Sequence, residues 1–145
     1  MGKLNLQQLS EMMRDIDFVM LQTRTENGQI AGRPMSNNKD VEYDGDSFYF
    51  LMQDTRTFSD VRNNPEVNLA IQGSKGLFGS PPTFISVEGR AEIILDKASF
   101  EDHWNPDLER WFKDGAGTPG LALIKVHASR IHYWSGDEDG EIALR

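Results

Sequence analysis

A mainly β fold, a small antiparallel barrel whose gaps are closed by short helices, is the class this sequence predicts. Three features point there. Apolar and polar residues alternate with period two in the run VNLAIQ from Val67 and again over residues 83–95. Tight-turn signals, Glu26-Asn27-Gly28-Gln29 and Asp44-Gly45-Asp46, separate the apolar runs. Every stretch with helical spacing is short.

Leu6, Leu9, Met12 and Met13 recur at helical spacing, and Asn5 with Gln8 makes a cap and capping-box pair, so residues 6–14 are expected to form a helix lying on a sheet. Residues 18–23 read as a buried strand. The Asn27-Gly28 pair favours a two-residue type I′ hairpin turn, and the chain returns as a strand over 30–35. Pro34 cannot donate to a ladder, which places that strand at an edge or a bulge. A short strand at 41–43, the Asp44-Gly45-Asp46 turn and an aromatic strand over 48–52 continue the meander. The next helix, 57–63, stops at Asn63-Asn64-Pro65, because the residue before proline is pushed out of the helical region. After a Gly/Ser/Pro loop at 73–82 comes the long strand 83–95, in which Gly89 marks a bulge or a bend. Asp96 caps a helix that runs to Trp104, and Pro106 opens another carrying Leu108, Trp111 and Phe112. Residues 121–127 and 130–134 read as two strands, and 136–145 as an acidic, flexible tail. The total is seven or eight strands and three or four short helices.

The 145 residues form a single domain by length, enough to bury roughly 68–70% of the unfolded surface. Fifteen basic against 23 acidic residues give a net charge of −8, a sign that opposes binding to nucleic acid or to an anionic membrane. Zero cysteines exclude disulfides, thiolate nucleophiles and Cys-ligated metals. No run approaches the length of a membrane span, and the expected location is the cytoplasm. Myristoylation would need Ser or Thr where Leu6 stands. His103, His127 and His132 form no zinc motif, and a calcium-loop pattern through Asp40, Glu42, Asp44 and Gly45 fails at Leu51, where Glu is required, so no metal is assigned. Dinucleotide, Walker and nucleophile-elbow motifs are missing as well.

One stretch does carry site chemistry. Thr55-Arg56-Thr57 stands at the start of the 57–63 helix, where the positive end of the helix dipole makes an arginine unfavourable unless an anion accompanies it. Helix N-termini bind phosphate through free N–H groups, so the triplet is a candidate phosphate cradle with Arg33 as a second arm.

The ordered set DIDFVMLQTRTENGQIAGRPMS, DGDSFYF, TRTFSDVRNNPEVNLAI, ISVEGRAEI, the WNPDLERWF segment from Trp104, and IHYW resembles the FMN-binding split-barrel proteins of the pyridoxamine 5′-phosphate oxidase superfamily, most closely the general stress protein 26 branch. The resemblance covers about residues 6–135. It implies a six-stranded antiparallel split β-barrel and a homodimer with FMN, or FAD, bound in a groove between the subunits. It also implies flavin contacts from Arg33, Pro34, Met35 and Ser36, from Phe50 and Leu51 at a strand end, from Thr55, Arg56 and Thr57 around the phosphate, and from Trp134 near the ring. Three positions depart from the family pattern. Thr57 replaces a lysine, Leu51 a threonine and Phe84 a glutamine, each loss of a charge-assisted bond weakening phosphate binding by roughly 1.5–3 kcal/mol. The implied function is a flavin-dependent oxidoreductase of unknown substrate; the alternatives are a flavin-binding, sensing or storage protein of the stress response and a flavin-free dimerisation scaffold. Oxidation of pyridoxamine phosphate is not expected, because the segment from Phe100 carries acidic residues and no arginine before Arg110 to clamp a substrate phosphate.

Overall fold

The computed structural model of the chain describes residues 4–14, 16–37, 42–73 and 82–144. Helix α1 (Leu6–Met13) opens on the expected capping box, in which Gln8 N donates to Asn5 Oδ1 at 2.8 Å and Asn5 N to Gln8 Oε1 at 2.9 Å. Its buried Leu9 and Met13 lie on the sheet. Strands β1 (Phe18–Arg24) and β2 (Ile30–Ser36) form the first hairpin. Its loop has three residues, not two. Gly28 N donates to Thr25 O (2.9 Å), Thr25 N donates to Gln29 O (2.8 Å), Gln29 N donates to the Thr25 hydroxyl (3.2 Å), and Gly28 takes the left-handed conformation at φ +80°. A left-handed glycine closes either loop, and the Thr25 hydroxyl favours the wider one.

The chain continues through β3 (Asp46–Met52), α2 (Arg56–Asn63), β4 (Glu66–Gln72), β5 (Phe84–Ile94) and α3 (Lys97–His103). After 3-10 turns at Pro106–Arg110 and Gly115–Gly117 come β6 (Leu121–Ser135) and β7 (Glu138–Ala143). No strand forms at Glu42 and Tyr43, because the Tyr43 N–H is taken by the Ser10 hydroxyl of α1 at 2.7 Å; Val41 lies outside the described residues. Most of the expected 73–82 loop, residues 74–81, also lies outside them.

Among the described residues all pairings are antiparallel, in the order β2-β1-β4-β5-β6-β3, with β7 beside β6, so the sheet has seven described strands where six were expected. Strand β2 ends the path, as Pro34 required. The two strands expected at 121–127 and 130–134 are one fifteen-residue strand. Its first half pairs with β3 and its second with β7, and the exchange happens at a bulge where Glu88 faces Arg130 but Gly89 faces Ala128. The expected flexible tail is β7: Gly136 turns the chain at φ +61°, and the acidic residues that suggested solvation pair with β6, Asp139 with His132 at 3.0 Å and Glu141 with Arg130 at 3.3 Å. Ile142 and Leu144 then pack on the core.

Side chains from the inner faces of β1 to β6, among them Val19, Met35, Leu51, Leu69, Val87 and Ile131, meet in one buried cluster. That convergence curls the sheet into a barrel, split between the end strands β2 and β3. Alternation sends Phe50 to the outer side of β3, where it joins Phe100, Leu121 and Leu123 in a second cluster under α3 and the Pro106 turn.

A Cβ on Gly89 would stand 2.5 Å from the carbonyl oxygen of His127, whereas one on Gly117 would meet nothing within 4 Å. Gly89→Ala should therefore cost about 1–3 kcal/mol in urea unfolding, and Gly117→Ala should fall within about 0.5 kcal/mol of wild type.

Candidate functional site

The split leaves a cleft where the end of β2, the outer face of β3 and the Pro106 turn meet. It has two lobes of about 240 Å³ each, which share Phe18, Ser36, Phe50, Leu108 and Trp111. The apolar lobe adds Pro34, Met35 and Phe112; the polar lobe adds Asp17, His103, Asn105, Asp107 and Arg110. Its walls are held by edge-to-face ring contacts, Phe50 with Phe100 (5.9 Å) and with Trp104 (5.0 Å), and Trp104 with Phe112 (6.1 Å). Trp111 is 57% exposed and meets Phe18 edge to face at 6.5 Å. The local cause is capping. Asp96 accepts from Ser99 N (2.9 Å) to start α3, and Asn105 accepts from Asp107 N (2.9 Å) to start the 3-10 turn that presents Leu108 and Trp111.

Four of the predicted site residues, Pro34, Met35, Ser36 and Phe50, thus come together. Leu51 does not join them, since its side chain lies in the barrel core. The Thr55-Arg56-Thr57 triplet starts α2 as expected, but the Thr55 hydroxyl is occupied as the cap: it accepts from Phe58 N (3.3 Å) and donates to Met52 O (2.8 Å). What the helix end still offers is the N–H groups of Arg56 and Thr57, which have no intrahelical acceptor, and the Arg56 guanidinium. Arg56 is exposed and pairs with no acidic side chain among the described residues.

Trp134 is on the outer face of the sheet, stacked on His132 with ring centroids 4.1 Å apart. It pairs with Phe84, which pairs with Gln72, and the β1–β4 register continues that row to Phe18. Three strand spacings put Trp134 about 14 Å from the mouth of the cleft.

Residues 5–144 match the family described as pyridoxamine 5′-phosphate oxidase like. The chain belongs to this family. Its fold is shared by a protein related to general stress protein 26 from Clostridium acetobutylicum (TM-score 0.78, 20% identity, 96% of this chain and 94% of that one). It is also shared by the general stress FMN/FAD binding protein of Xanthomonas citri (TM-score 0.72, 20% identity, 97% and 94%). Protein bli-3 of Neurospora crassa is 25% identical over 134 residues, 86% of this chain, and the chain spans 62% of the length of that curated relative.

In this member of the pyridoxamine 5′-phosphate oxidase like family, Arg33 lines neither lobe of the cleft. Alternation along β2 puts it on the face opposite Pro34, where Nη1 donates to Thr23 Oγ1 at 2.7 Å and Nη2 lies 3.8 Å from Asp60 Oδ2. Thr23 in turn donates to Asp60 (3.3 Å), so β1, β2 and α2 are joined through one polar chain. Burial lowers the Arg33 pKa from its ordinary value, and the Asp60 carboxylate opposes that shift. Asp60 escaped the sequence reading. Its signal was an acidic residue between Phe58 and Val61, on the face of α2 that the helix buries. Since Asp60 is buried, Arg33→Ala and Asp60→Ala should each destabilise the fold by about 3 kcal/mol. The double variant should lose less than the sum, as read from a double-mutant cycle in urea.

Proposed function

We propose that this protein binds FMN, or FAD, in the cleft of a homodimer and uses it as an oxidoreductase. The observation that carries this reading is the convergence of Pro34, Ser36, Phe50 and Trp111 on one apolar lobe, with an exposed arginine, paired with no acidic side chain among the described residues, at the helix end that follows β3. A lobe of 240 Å³ walled by aromatic rings suits a flat, largely apolar ring system, and Arg56 with the free N–H groups beside it suits a phosphate. Membership of the family and the fold shared with an FMN/FAD binding protein support the same group. The flavin supplies hydride transfer when bound; the chain holds the ring, excludes water from one side of it and neutralises the phosphate.

The outer face of the sheet supports the dimer. Register places Phe18, Met20, Pro34, Ala70, Phe84 and Trp134 on that face, and four of them are more than 40% exposed. An apolar surface of this kind marks an interface. Packed against the same face of a second copy, it brings Trp134 of the partner subunit toward the cleft.

The first test is the visible spectrum of the protein mixed with FMN, followed by oxidation of NADH or NADPH by the loaded form. FMN should bind far more tightly than riboflavin, and Arg56→Ala should cost about ten- to hundred-fold in FMN affinity, less at high salt. Equal affinities for FMN and riboflavin would remove the cradle from the site.

Sedimentation velocity at micromolar concentration should show a dimer, and Trp134→Ala should weaken both the dimer and FMN retention. A monomer with FMN still bound contradicts the shared site.

A further inference from the structure

Helix α2 buries Phe58, Asp60 and Val61, so helical periodicity turns Arg56, Ser59, Arg62 and Asn63 to the solvent side. None of these four is acidic. Asp60, the one acidic residue of the helix, is directed inward to Arg33 and Thr23, and neither Arg56 nor Arg62 pairs with an acidic side chain among the described residues. Arg62 lies instead over the ring of Phe58, its Cζ 5.8 Å from the centroid. Ser59 stands midway, three residues after one arginine and three before the other, the spacing at which side chains on a helix are neighbours. It is partly exposed. Its backbone N–H donates to Thr55 O at 3.3 Å, and its hydroxyl makes no hydrogen bond among the described residues.

A hydroxyl with no partner between two guanidiniums suits one modification. A phosphate on Ser59 Oγ brings a charge of about −1.5 to −2 and three acceptor oxygens, with Arg56 and Arg62 as donors on either side. The sequence carries the address as well: Arg56-Thr57-Phe58-Ser59 sets an arginine three residues before the acceptor, a charge pattern by which basophilic serine kinases select their substrates. The same spacing recurs at Arg33 and Ser36. There the arginine is held by Thr23 and Asp60 and is not free to be read. A kinase takes its substrate segment unwound, and a two-turn helix opens locally at less cost than the strands of the core.

We propose that Ser59 is a phosphorylation site whose phosphate pairs with Arg56 and Arg62 and so withdraws Arg56 from the phosphate of a cofactor. In the modifying step Ser59 Oγ bonds to the γ-phosphorus of ATP while the bond from that phosphorus to the β,γ-bridging oxygen breaks. ADP leaves, the hydroxyl proton passes to the kinase, and nothing is oxidised or reduced. The pairing with the two arginines stands on the helix alone; the withdrawal of Arg56 from a cofactor rests on the flavin reading. FMN bound at Arg56 in turn shields the arginine that the kinase reads.

The test compares the whole protein with and without phosphoserine installed at position 59, by nitrogen-15 NMR of the arginine Nε signals and by titration with FMN and riboflavin. The signals of Arg56 and Arg62 should shift on phosphorylation. FMN affinity should fall about ten-fold or more, less at high salt, while riboflavin affinity and the FMN affinity of Ser59→Ala stay unchanged. A purified calmodulin-dependent protein kinase, which selects arginine three residues before serine, should with ATP place phosphate on Ser59 of the folded protein and leave Ser36 unmodified, as read by mass spectrometry. Arg56→Ala should slow that reaction about ten-fold. No phosphate on Ser59 under conditions that modify the unfolded chain, unshifted arginine signals in the phosphorylated protein, or full FMN affinity in that protein each overturns the proposal. The flavin reading fails separately: if neither form binds FMN, that reading alone falls, and the arginine signals and the kinase reaction still decide this one.

Discussion

The approach of Gly89 to the carbonyl of His127 is the contact on which the arrangement of the barrel depends. At that point β6 carries one residue more than β5, with the Ser129 hydroxyl donating to Glu88 O at 3.0 Å, and the strand bends. The bend lets one fifteen-residue strand serve two neighbours. Ala128 N closes onto Gly45 O (2.8 Å) at the last contact with the β3 side, and Leu144 N takes Ser129 O (2.9 Å) at the first contact with the β7 side. His127 sits at the exchange, within 3.1 Å of Asp46 on β3 and 2.8 Å of Glu92 on β5, so three strands are tied through one ring. Any side chain at position 89 pushes these strands apart.

From that bend both halves of the candidate site follow. The half of β6 that holds β3 sets Phe50 on the outer side of the barrel, against Phe100 and Trp104, and so forms the back of the cleft. The other half carries Trp134 and receives β7, whose Asp139 and Glu141 hold His132 beneath the indole. The split between β2 and β3 is where a barrel would ordinarily continue its ladder. Pro34 blunts the β2 edge, and the Trp-bearing segment after α3 covers the opening instead of another strand. A binding site at an interrupted ladder needs no distortion of the sheet.

The two arginines singled out by the same helix-dipole reasoning have separate roles in the fold. Arg56 remains at the surface beside the helix end, with no acidic partner among the described residues. Arg33 is drawn to the inner side of β2 by Thr23 and Asp60, where its charge balances a buried carboxylate and secures α2 to the sheet. Secured in this way, the helix presents Arg56 at a defined place.

Much of this was written in local sequence. Asn5 and Gln8 set the start of α1, Thr55 and Asp96 the starts of α2 and α3, Pro65 the end of α2, and Gly89 the bulge, because capping, proline geometry and backbone crowding act over a few residues. Pro34 likewise announced an edge strand, and the period-two runs announced which faces are buried. What local sequence leaves open is which distant groups become partners. An acidic run from Gly136 reads as solvated until His132 and Arg130 stand opposite it, Arg33 reads without a protein partner until a buried aspartate from another element reaches it, and two short strands read as separate until a third element pairs across both. Charge pairing and strand pairing over long separations are decided by the closed barrel, since only there do desolvation and proximity make those contacts outweigh water.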